Sequence, residues 1–406
     1  MPQLVTGGTG NLGAWLIADL LKRPSVAEVW ALVRAPGQAA AGARIMQSLV
    51  SRKINLTDGE AAKLFAVPSD FSTPDLGLQA HELNHLLSST TCIIHSAWAV
   101  NFNLGVRSFE NQHVRGVHNL INFCLRVTLP SPAKFFFCSS VSTASGTPKP
   151  ASIPEAAIED LTHAQGTGYG RSKLVAEHIV RNAMRQGKAA GLHARVLRIG
   201  QLSGDCQNAD WNSTEAIALM IRSALTTKSL PALDERPSWL PVDSCAGAIL
   251  DIAFPKTSQD PREGRVGAST DGLSEDAELV YHLVNPKLFS WKEDLLPALK
   301  RTNLPAFDVV SPSQWLDRLK KSDADPVRNP SVKLIDFWEK KYGSGAQSTN
   351  AAVKEEASQE DIDAPGLTFE TSKTAKASRT IAGAVDPVSA GLVERYVEGW
   401  LRRWVE

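Results

Sequence analysis

A tyrosine and a lysine four residues apart are the first candidates for catalysis. The chain has four tyrosines, and only Tyr169 is followed at that spacing by a lysine, Lys173. On a helix, residues at this spacing share one face. A lysine ammonium beside a phenol favours the phenolate and lowers the tyrosine pKa, which allows proton exchange near neutral pH. The pair therefore predicts acid–base chemistry, although the same spacing also arises by chance in many proteins.

Serine hydroxyls that follow an apolar run are the second candidates. Residues 135–137 are all phenylalanine and lead into Ser139, Ser140 and Ser142. The run predicts a strand, and ligands of open α/β sheets bind outside the carboxyl ends of the strands. A hydroxyl at that edge can stabilise an oxygen on which negative charge develops. We assign this role to Ser140, with Ser142 as second choice, against the alternative that both are ordinary turn residues.

A glycine-rich turn near the start of the chain predicts a dinucleotide site. Gly7 permits a tight turn, Gly10 lets the backbone approach a pyrophosphate, and Gly13 allows a helix to pack closely on a strand. The N-terminus of the following helix adds N–H groups and a positive dipole end. We assign the cofactor to six residues of this turn: Gly7, Thr9, Gly10, Asn11, Leu12 and Gly13.

The end of the second predicted strand bears on the choice of cofactor. Arg34 lies there, where an NAD-specific site usually has a carboxylate for the ribose 2′-hydroxyl. An arginine accommodates the 2′-phosphate of NADP instead. Arg44, on the next helix, is a second candidate for that phosphate, although either arginine could simply be solvated. The sequence therefore favours NADPH over NADH. Asp70 and Phe71 follow the third predicted strand, and their order in the chain places them beside the adenine.

Apolar strand-like runs alternate with amphipathic helical stretches in the first half of the chain. The runs are residues 4–5, 29–33, 92–95, 134–138 and 194–199, with helical patterns such as 12–21 and 111–125 between them. Such alternation is typical of an α/β fold with a doubly wound parallel sheet. We predict a cofactor-binding domain over residues 1–204, with later contributions from about 239–254 and 279–286.

The second half of the chain has a different pattern, with longer polar helices and interspersed prolines. Residues 205–406 are predicted to form mainly a smaller helical lobe that faces the substrate. Residues 343–364 are rich in Gly, Ser, Ala and acidic residues and predict a flexible loop. A last helix should dock on the body through residues at helical spacing: Leu392, Val393, Tyr396, Val397, Trp400, Leu401 and Trp404.

Charge and composition exclude several classes of protein. The 406 residues include 43 Lys+Arg and 43 Asp+Glu, so no net charge points to nucleic acid or a membrane surface. The five cysteines form no CxxC pair, which argues against a zinc site or disulfide scaffold and fits a reducing compartment. Without a membrane-spanning stretch or signal peptide, we expect a cytoplasmic enzyme. The chain starts almost directly with a strand, which suggests a segment of a longer polypeptide.

The glycine turn, the serine-rich strand end and the Tyr169/Lys173 pair, in this order, resemble the extended short-chain dehydrogenase/reductases. Residues 95–102, 198–204 and 239–243 are similar to the terminal thioester reductase domains of fungal nonribosomal-peptide-synthetase-like enzymes, polyketide synthases and carboxylic acid reductases. Residues 369–374 and the tryptophan-rich last helix extend the resemblance over most of the chain. Members of the group often have threonine at the position of Ser140, and serine supplies the same hydroxyl.

The resemblance implies reduction of an acyl thioester held on the phosphopantetheine arm of a carrier protein, upstream in the same polypeptide. NADPH would deliver hydride to the thioester carbon and an aldehyde would be released, with further reduction to an alcohol as an open extension. Ser140, Tyr169 and Lys173 would be catalytic, and Lys173 would also bind the nicotinamide ribose. The remaining implied contacts are Ser96, Ala97 and Ile199, with Tyr169 and Lys173, to the cofactor, and Trp98, Asn101, Phe102 and Gln201 to the substrate.

Three alternatives remain open at this stage. His95 is interpreted as a packed strand residue rather than a base. A free-standing reductase or epimerase acting on a small carbonyl, sugar nucleotide or acyl-CoA would keep the same triad without needing a carrier. A non-catalytic NADP sensor would keep the glycine turn, but the intact Tyr169/Lys173 pair argues against it.

Overall fold

A computed structural model describes residues 1–255, 278–343 and 366–405 of the chain. The chain divides into two compact units. The first consists of residues 1–200, 242–284 and 366–384, and the second of residues 201–241, 285–365 and 385–406. Apart from Gly343, the predicted flexible loop 343–364 lies outside the described residues.

Thirteen strands occur among the described residues. They are β1 (Pro2–Thr6), β2 (Glu28–Val33), β3 (Leu64–Pro68), β4 (Cys92–His95), β5 (Lys134–Ser140), β6 (Ala151–Ile153), β7 (Ala194–Ile199), β8 (Leu202–Ser203), β9 (Ser229–Pro231), β10 (Leu240–Pro241), β11 (Val280–Leu283), β12 (Asp308–Val310) and β13 (Leu367–Phe369).

The α-helices of the same parts of the chain are α1 (Asn11–Leu21), α2 (Gln38–Ser51), α3 (Asp58–Ala61), α4 (Ala80–Ser89), α5 (Arg115–Arg126), α6 (Gly168–Gln186), α7 (Ala216–Arg222), α8 (Ala224–Thr227), α9 (Val242–Ala253), α10 (Leu296–Lys300), α11 (Pro312–Lys320), α12 (Ile335–Tyr342), α13 (Ser372–Ala377), α14 (Arg379–Ala382) and α15 (Leu392–Val405). Short 3-10 turns lie at Val106–Phe109, Val141–Thr143, Leu161–His163, Lys188–Ala190 and Pro330–Leu334, and π turns at Glu110–Val114 and Trp291–Leu295. No helix in these parts of the chain is long and apolar enough to cross a bilayer.

Seven parallel strands form the main sheet of the first unit, in the order β11-β7-β5-β4-β1-β2-β3. Helices flank this sheet, with α1 packed against α9 and α5 against α6. The prediction of an α/β fold with a doubly wound parallel sheet is therefore confirmed. The strand order reverses between β1 and β4, and ligands of this fold bind at that switch point.

Continuous apolar runs form these strands because both faces of a parallel sheet are covered. Phe135 and Phe137 on β5 have no exposed surface and pack with Leu4, Ile93 and Val180 in one core cluster. Burying each phenylalanine contributes roughly 1.5–3 kcal/mol. The core therefore holds rigid the strand that ends at Ser140.

The C-terminal part of the first unit pairs with a strand that lies far earlier in the chain, in a separate two-stranded sheet. Strand β13 pairs in parallel with β6, so Phe369 lies opposite Ile153. The Glu155 carboxylate accepts hydrogen bonds from the backbone N–H groups of Lys373 and Thr374. These contacts place residues 366–384, which the sequence assigned to the lobe, in the first unit.

The second unit is built around buried tryptophans. Trp211, Trp239, Trp315, Trp338 and Trp400 belong to one core cluster, and each is at most 1% exposed. The Trp400 indole donates to the carbonyl of Trp211 at 2.8 Å. The prediction that the last helix docks is confirmed, because five of its seven predicted residues are buried and two are half-buried.

Candidate active site

The predicted site residues of the first unit converge on one edge of the main sheet. In parallel strands all carboxyl ends lie at the same edge. Thr6 at the end of β1 pairs with His95 at the end of β4, and Ser140 at the end of β5 pairs with Ile199 at the end of β7. The glycine turn, Ser96 and Ser140 thus follow neighbouring strands at the switch point.

Tyr169 lies in the first turn of α6, directly above this edge. Thr167 caps the helix by accepting a hydrogen bond from the Gly170 N–H at 3.1 Å. The side chains of Tyr169 and Ser140 are hydrogen-bonded to each other. The structure therefore brings the Tyr169 phenol and the Ser140 hydroxyl into direct contact at the end of β5.

Lys173 lies one turn further along α6 and is almost completely buried. Its Nζ donates to the carbonyl of Cys138 at 2.6 Å and lies 4.2 Å from the centre of the Trp98 ring. Burial lowers its pKa from 10.5 to about 7, against the opposing influence of Cys138 and Glu177. At neutral pH the Lys173 side chain is therefore present in both its charged and its neutral form.

The Tyr169 hydroxyl behaves differently from the sequence-based prediction. Burial raises its pKa from 10 to about 12, and only the hydrogen bond with Ser140 lowers it. The Lys173 Nζ is 5.9 Å from the Tyr169 ring centre and is turned toward Cys138 and Trp98. The predicted lowering of the Tyr169 pKa is therefore wrong, because desolvation of the phenol raises the pKa and exceeds the effect of the Ser140 hydrogen bond.

The glycine turn after β1 requires glycine at two positions for steric reasons. Gly7 has a φ of 77°, and a Cβ there would lie 2.6 Å from Ser96 Oγ. A Cβ on Gly13 would lie 2.1 Å from the Gly7 carbonyl oxygen. The tight turn assigned to Gly7 is thus seen in the structure, and at Gly13 the start of α1 packs closely on the turn itself. The Gly10 N–H donates to the Gly7 carbonyl at 2.9 Å and closes the turn.

Thr6 is a residue of this turn that sequence reasoning missed. Its hydroxyl accepts from the Ala97 N–H at 3.1 Å and is 2.7 Å from His95 Nδ1. The Ser96 hydroxyl donates to the Thr6 carbonyl at 2.8 Å. These bonds join the ends of β1 and β4 and hold Ser96 and Ala97 beside the glycine turn. A threonine at a strand end has no sequence signal that distinguishes this role.

The two candidate arginines lie close together and both are exposed. The Arg44 guanidinium donates to the backbone carbonyl of Arg34. The Asp70 carboxylate accepts from Ser72 and Gln112, and these hydrogen bonds lower its pKa. The Phe71 ring is buried in the core rather than presented at the surface. Of the pair predicted to flank the adenine, only Asp70 has its side chain near the surface.

The four predicted substrate residues have different surroundings. Phe102 lies against Tyr169, with ring centres 5.0 Å apart, while Asn101 is exposed. Trp98 packs under Lys173 and donates from its indole to Ser172 Oγ at 3.3 Å, so it contacts the catalytic helix. Gln201 belongs to the second unit, where its amide donates to the Leu202 carbonyl at 2.8 Å.

His95 has the surroundings of a packed strand residue, in agreement with the interpretation from sequence. It has no exposed surface, and its ring packs against Phe71, Phe135 and Phe137. Burial holds its pKa well below 6.5. The imidazole is therefore neutral and enclosed at physiological pH.

Residues 5–249 match the NAD-binding family described as "Male sterility protein". The chain belongs to this family. Over 410 residues it is 29% identical to the non-reducing polyketide synthase dbaI of Emericella nidulans, covering 98% of this chain and 14% of that protein. Over 415 residues it is 30% identical to the adenylate-forming reductase Nps9 of Serpula lacrymans var. lacrymans, covering 98% and 35% respectively. The chain thus spans a small part of these relatives.

A solved structure shares the fold of this family member. It is the terminal R domain from the myxalamid PKS-NRPS biosynthetic pathway, with a TM-score of 0.76 and 23% sequence identity. The match covers 99% of this chain and 90% of that one. This likeness supports the fold, and the family match identifies the chain as an NAD(P)-binding domain.

The residues around the glycine turn fit the NAD(P) cofactor that the family implies. Helix α1 is 11 residues long, and in this described segment no side chain caps its N-terminus and its first turn has no acidic residue. A helix end of this kind offers N–H groups and a positive dipole end to phosphates. Because Gly7 and Gly13 lack a Cβ, the backbone of the turn stays close to this helix end. The turn and helix would hold the pyrophosphate, beside the edge that carries Tyr169 and Lys173.

Proposed function

We propose that this chain is an NADPH-dependent reductase that converts a carrier-bound acyl thioester into an aldehyde. The observation that carries the proposal is the convergence of Ser140, Tyr169 and Lys173 beside the glycine turn, in a member of an NAD-binding family. The relatives named above, a polyketide synthase and an adenylate-forming reductase, support the substrate class.

The proposed reaction divides the work between the triad and the cofactor. When bound at the glycine turn, NADPH would supply a hydride to the thioester carbon. The hydroxyls of Ser140 and Tyr169 hydrogen-bond the thioester oxygen, so the negative charge that develops there is stabilised. Tyr169 donates its proton to that oxygen to give a hemithioacetal. When this collapses, the C–S bond breaks, the hydroxyl proton passes to the leaving thiolate, and Tyr169 regains a proton from solvent. One thioester, one NADPH and one proton thus give one aldehyde, one thiol and one NADP⁺.

Lys173 has two tasks in this proposal. As an ammonium it hydrogen-bonds the nicotinamide ribose, and its charge stabilises the Tyr169 phenolate after proton transfer. Burial lowers the pKa of Lys173 to about 7. The negative charges of a bound dinucleotide would raise that pKa and favour the ammonium. Binding of NADPH and protonation of Lys173 are therefore coupled.

The preference for NADPH over NADH rests on Arg34 and Arg44. Both are exposed next to the end of β2, and the neighbouring Asp70 carboxylate is engaged with Ser72 and Gln112. Arginine binds phosphate bidentately, whereas a carboxylate would repel it. The 2′-phosphate is thus assigned to the two arginines.

Arg34→Asp should weaken NADPH binding much more than NADH binding. A charge-assisted contact contributes roughly 1.5–3 kcal/mol, which corresponds to about 10- to 150-fold in Kd. Fluorescence titration of both cofactors measures the ratio, and Arg34→Lys, which keeps the charge, is the matched control. Equal affinity of the parental protein for the two cofactors would contradict the assignment.

The acyl group is proposed to arrive on the phosphopantetheine arm of a carrier domain in the same polypeptide. The chain spans 14% of the polyketide synthase and 35% of the adenylate-forming reductase. In both relatives the matching region is therefore one part of a longer protein. The proposal involves no nucleic acid and no membrane, and it places the reaction in the cytoplasm. Arg222, Lys228 and Arg236 of the second unit are candidate contacts to an acidic carrier helix.

The experiment that tests the proposed function compares substrates. NADPH oxidation is followed with one acyl group on its carrier, on CoA and on a short pantetheine mimic, and with a small ketone. We expect a higher kcat/KM for the carrier thioester than for the mimic, and a decrease of that advantage with salt, because electrostatic docking is screened. Equal values without salt dependence, or turnover of the ketone alone, would favour a free-standing reductase.

A further inference from the structure

A buried ion pair connects the catalytic helix with the main sheet. Arg198 on β7 is 0% exposed and Glu177 on α6 is 5% exposed. The Arg198 Nη2 donates to Glu177 Oε2 at 2.7 Å, and Nε donates to both carboxylate oxygens at 3.1 and 3.2 Å. Burying two charges costs desolvation energy, and a fork-shaped contact of this kind offsets that cost only when its geometry is good.

Glu177 lies on the helix that carries Tyr169 and Lys173, and it contacts the strand that carries Ser140. It is four residues after Lys173 and eight after Tyr169 on α6, so all three share one helix face. The hydroxyl of Ser139 donates to Glu177 Oε1 at 2.6 Å. Ser139 directly precedes Ser140 at the end of β5. One carboxylate therefore ties the helix that carries Tyr169 and Lys173 to the strand end that carries Ser140.

Arg198 is supported from the other side by the returning C-terminal segment. Its Nη1 lies 3.4 Å from His282 Nε2, and His282 Nδ1 lies 2.8 Å from the Glu370 carbonyl. Arginine only donates, so Nε2 accepts and Nδ1 carries the proton that it donates to Glu370. Burial, and then the Arg198 charge, lower the His282 pKa to about 3, so the ring stays neutral. Glu370 belongs to residues 369–374, a segment for which the sequence analysis predicts no role at the site.

We propose that Glu177 and Arg198 are positioning residues of the reductase. Their ion pair fixes α6 against the carboxyl ends of β5 and β7, and so aligns Tyr169 and Lys173 with Ser140. His282 and the Glu370 carbonyl hold the Arg198 guanidinium in place. This inference rests on the proposed function and adds the device by which the returning segment 366–384 supports the catalytic centre.

The effect of Glu177 on the Lys173 pKa distinguishes a positioning role at the catalytic centre from a purely structural role. Glu177 is one turn from Lys173, and its negative charge raises the Lys173 pKa against the larger lowering by burial. The titratable groups around Lys173 are Cys138 on β5, His95 on β4, His113 on the π turn, and Tyr169 and Glu177 on α6. Of these, Glu177 is the carboxylate, so its neutralisation should move the Lys173 titration to lower pH.

Glu177→Gln and Ser139→Ala test the proposal. Glu177→Gln should lower kcat about 10- to 100-fold, because misplacement of catalytic groups by about 1 Å has effects of this size. KM for the thioester should change by less than about threefold, since no substrate contact is lost. NADPH affinity, followed by fluorescence against pH, should begin to weaken at a lower pH than in the parental protein. Ser139→Ala should lower kcat less, without moving that pH.

The matched control is Glu159→Gln, which removes the carboxylate partner of Arg181 on the same helix. It should leave kcat and the pH profile of NADPH binding unchanged. Thermal unfolding of each variant shows whether it is folded at the assay temperature.

Three results would overturn the proposal. One is a folded Glu177→Gln protein with parental kcat and pH profile. Another is a decrease of kcat in both Glu177→Gln and Glu159→Gln that follows the decrease of Tm in each variant. If Glu177→Gln does not fold, parental kcat in Ser139→Ala overturns it. A parental protein that binds NADPH but reduces no thioester would instead contradict the proposed function, and the pH shift of NADPH binding in Glu177→Gln would still test the positioning.

Discussion

Tyr169→Phe is expected to lower kcat about 10²- to 10⁴-fold while the Kd for NADPH stays within about threefold. The substitution removes one hydroxyl that is hydrogen-bonded to Ser140 and leaves the ring that packs against Phe102. Proton transfer and stabilisation of the substrate oxygen matter mainly in the transition state, so binding of the cofactor should persist. Steady-state kinetics with a carrier thioester and a fluorescence titration of NADPH measure both quantities.

Tyr281→Phe is the matched control for this prediction. Tyr281 is also a buried phenol of the first unit, and burial raises its pKa as well. It lies on β11 beside Lys373 rather than at the switch point. Its substitution should leave kcat near the parental value. Near-parental turnover in Tyr169→Phe, or an equal loss in both variants, would show that Tyr169 is not the proton donor.

Lys173→Ala should impair both turnover and cofactor binding, with kcat/KM reduced roughly 10³-fold or more because two contributions are lost together. Its pKa of about 7 also predicts the pH dependence of binding. The lysine is charged below pH 7 and neutral above it, so NADPH affinity should fall as pH rises through about 7. The expected slope is at most tenfold per pH unit. In Lys173→Ala, Kd measured from pH 6 to 9 should lose this slope.

Lys373→Met is the control for that slope. Burial lowers the Lys373 pKa to about 8, so this residue titrates in the same range but lies beside Tyr281 and Glu155. The pH dependence of NADPH binding should persist in Lys373→Met. If the pH dependence persists in Lys173→Ala and disappears in Lys373→Met, it arises from Lys373 and the assignment to Lys173 is wrong.

The main sheet and the glycine turn could be predicted because their causes are local in the sequence. Parallel strands are covered on both faces, so runs such as residues 134–138 are continuously apolar and stand out. Gly7 is required by a positive φ and Gly13 by a close approach of the backbone. Both requirements select glycine, so the turn shows in the sequence as glycines at a fixed spacing. Tyr169 and Lys173 were found for the same reason, since one helical turn relates them.

The features that sequence reasoning missed depend on contacts between distant residues. Glu177 and Arg198 are 21 positions apart, and His282 lies a further 84 positions from Arg198. The return of residues 366–384 rests on β6 and β13, which are three residues each and too short to show a periodicity. Nothing in either segment indicates its partner.

Burial explains the two remaining differences at the site. The Tyr169 pKa rises because the packed edge desolvates the phenol, an effect that the Lys173 spacing does not reveal. The order of Phe71 in the chain suggested a place beside the adenine, but its ring is only 8% exposed and packs in the core. Chain order locates a residue at the end of a strand without indicating which way its side chain turns.

Transfer of deuterium from the nicotinamide to the product is the most direct measurement of the central claim. The parental protein is incubated with an acyl-carrier thioester and NADPH carrying deuterium at both C4 positions, and aldehyde, free thiol and consumed NADPH are quantified by mass spectrometry and absorbance. The account predicts one deuterium on the aldehyde carbon, with one thiol released and one NADPH consumed per aldehyde formed. Hydrolysis of the thioester to a free acid and a thiol, without consumption of NADPH, would contradict the account. Formation of an aldehyde that carries no deuterium would also contradict it.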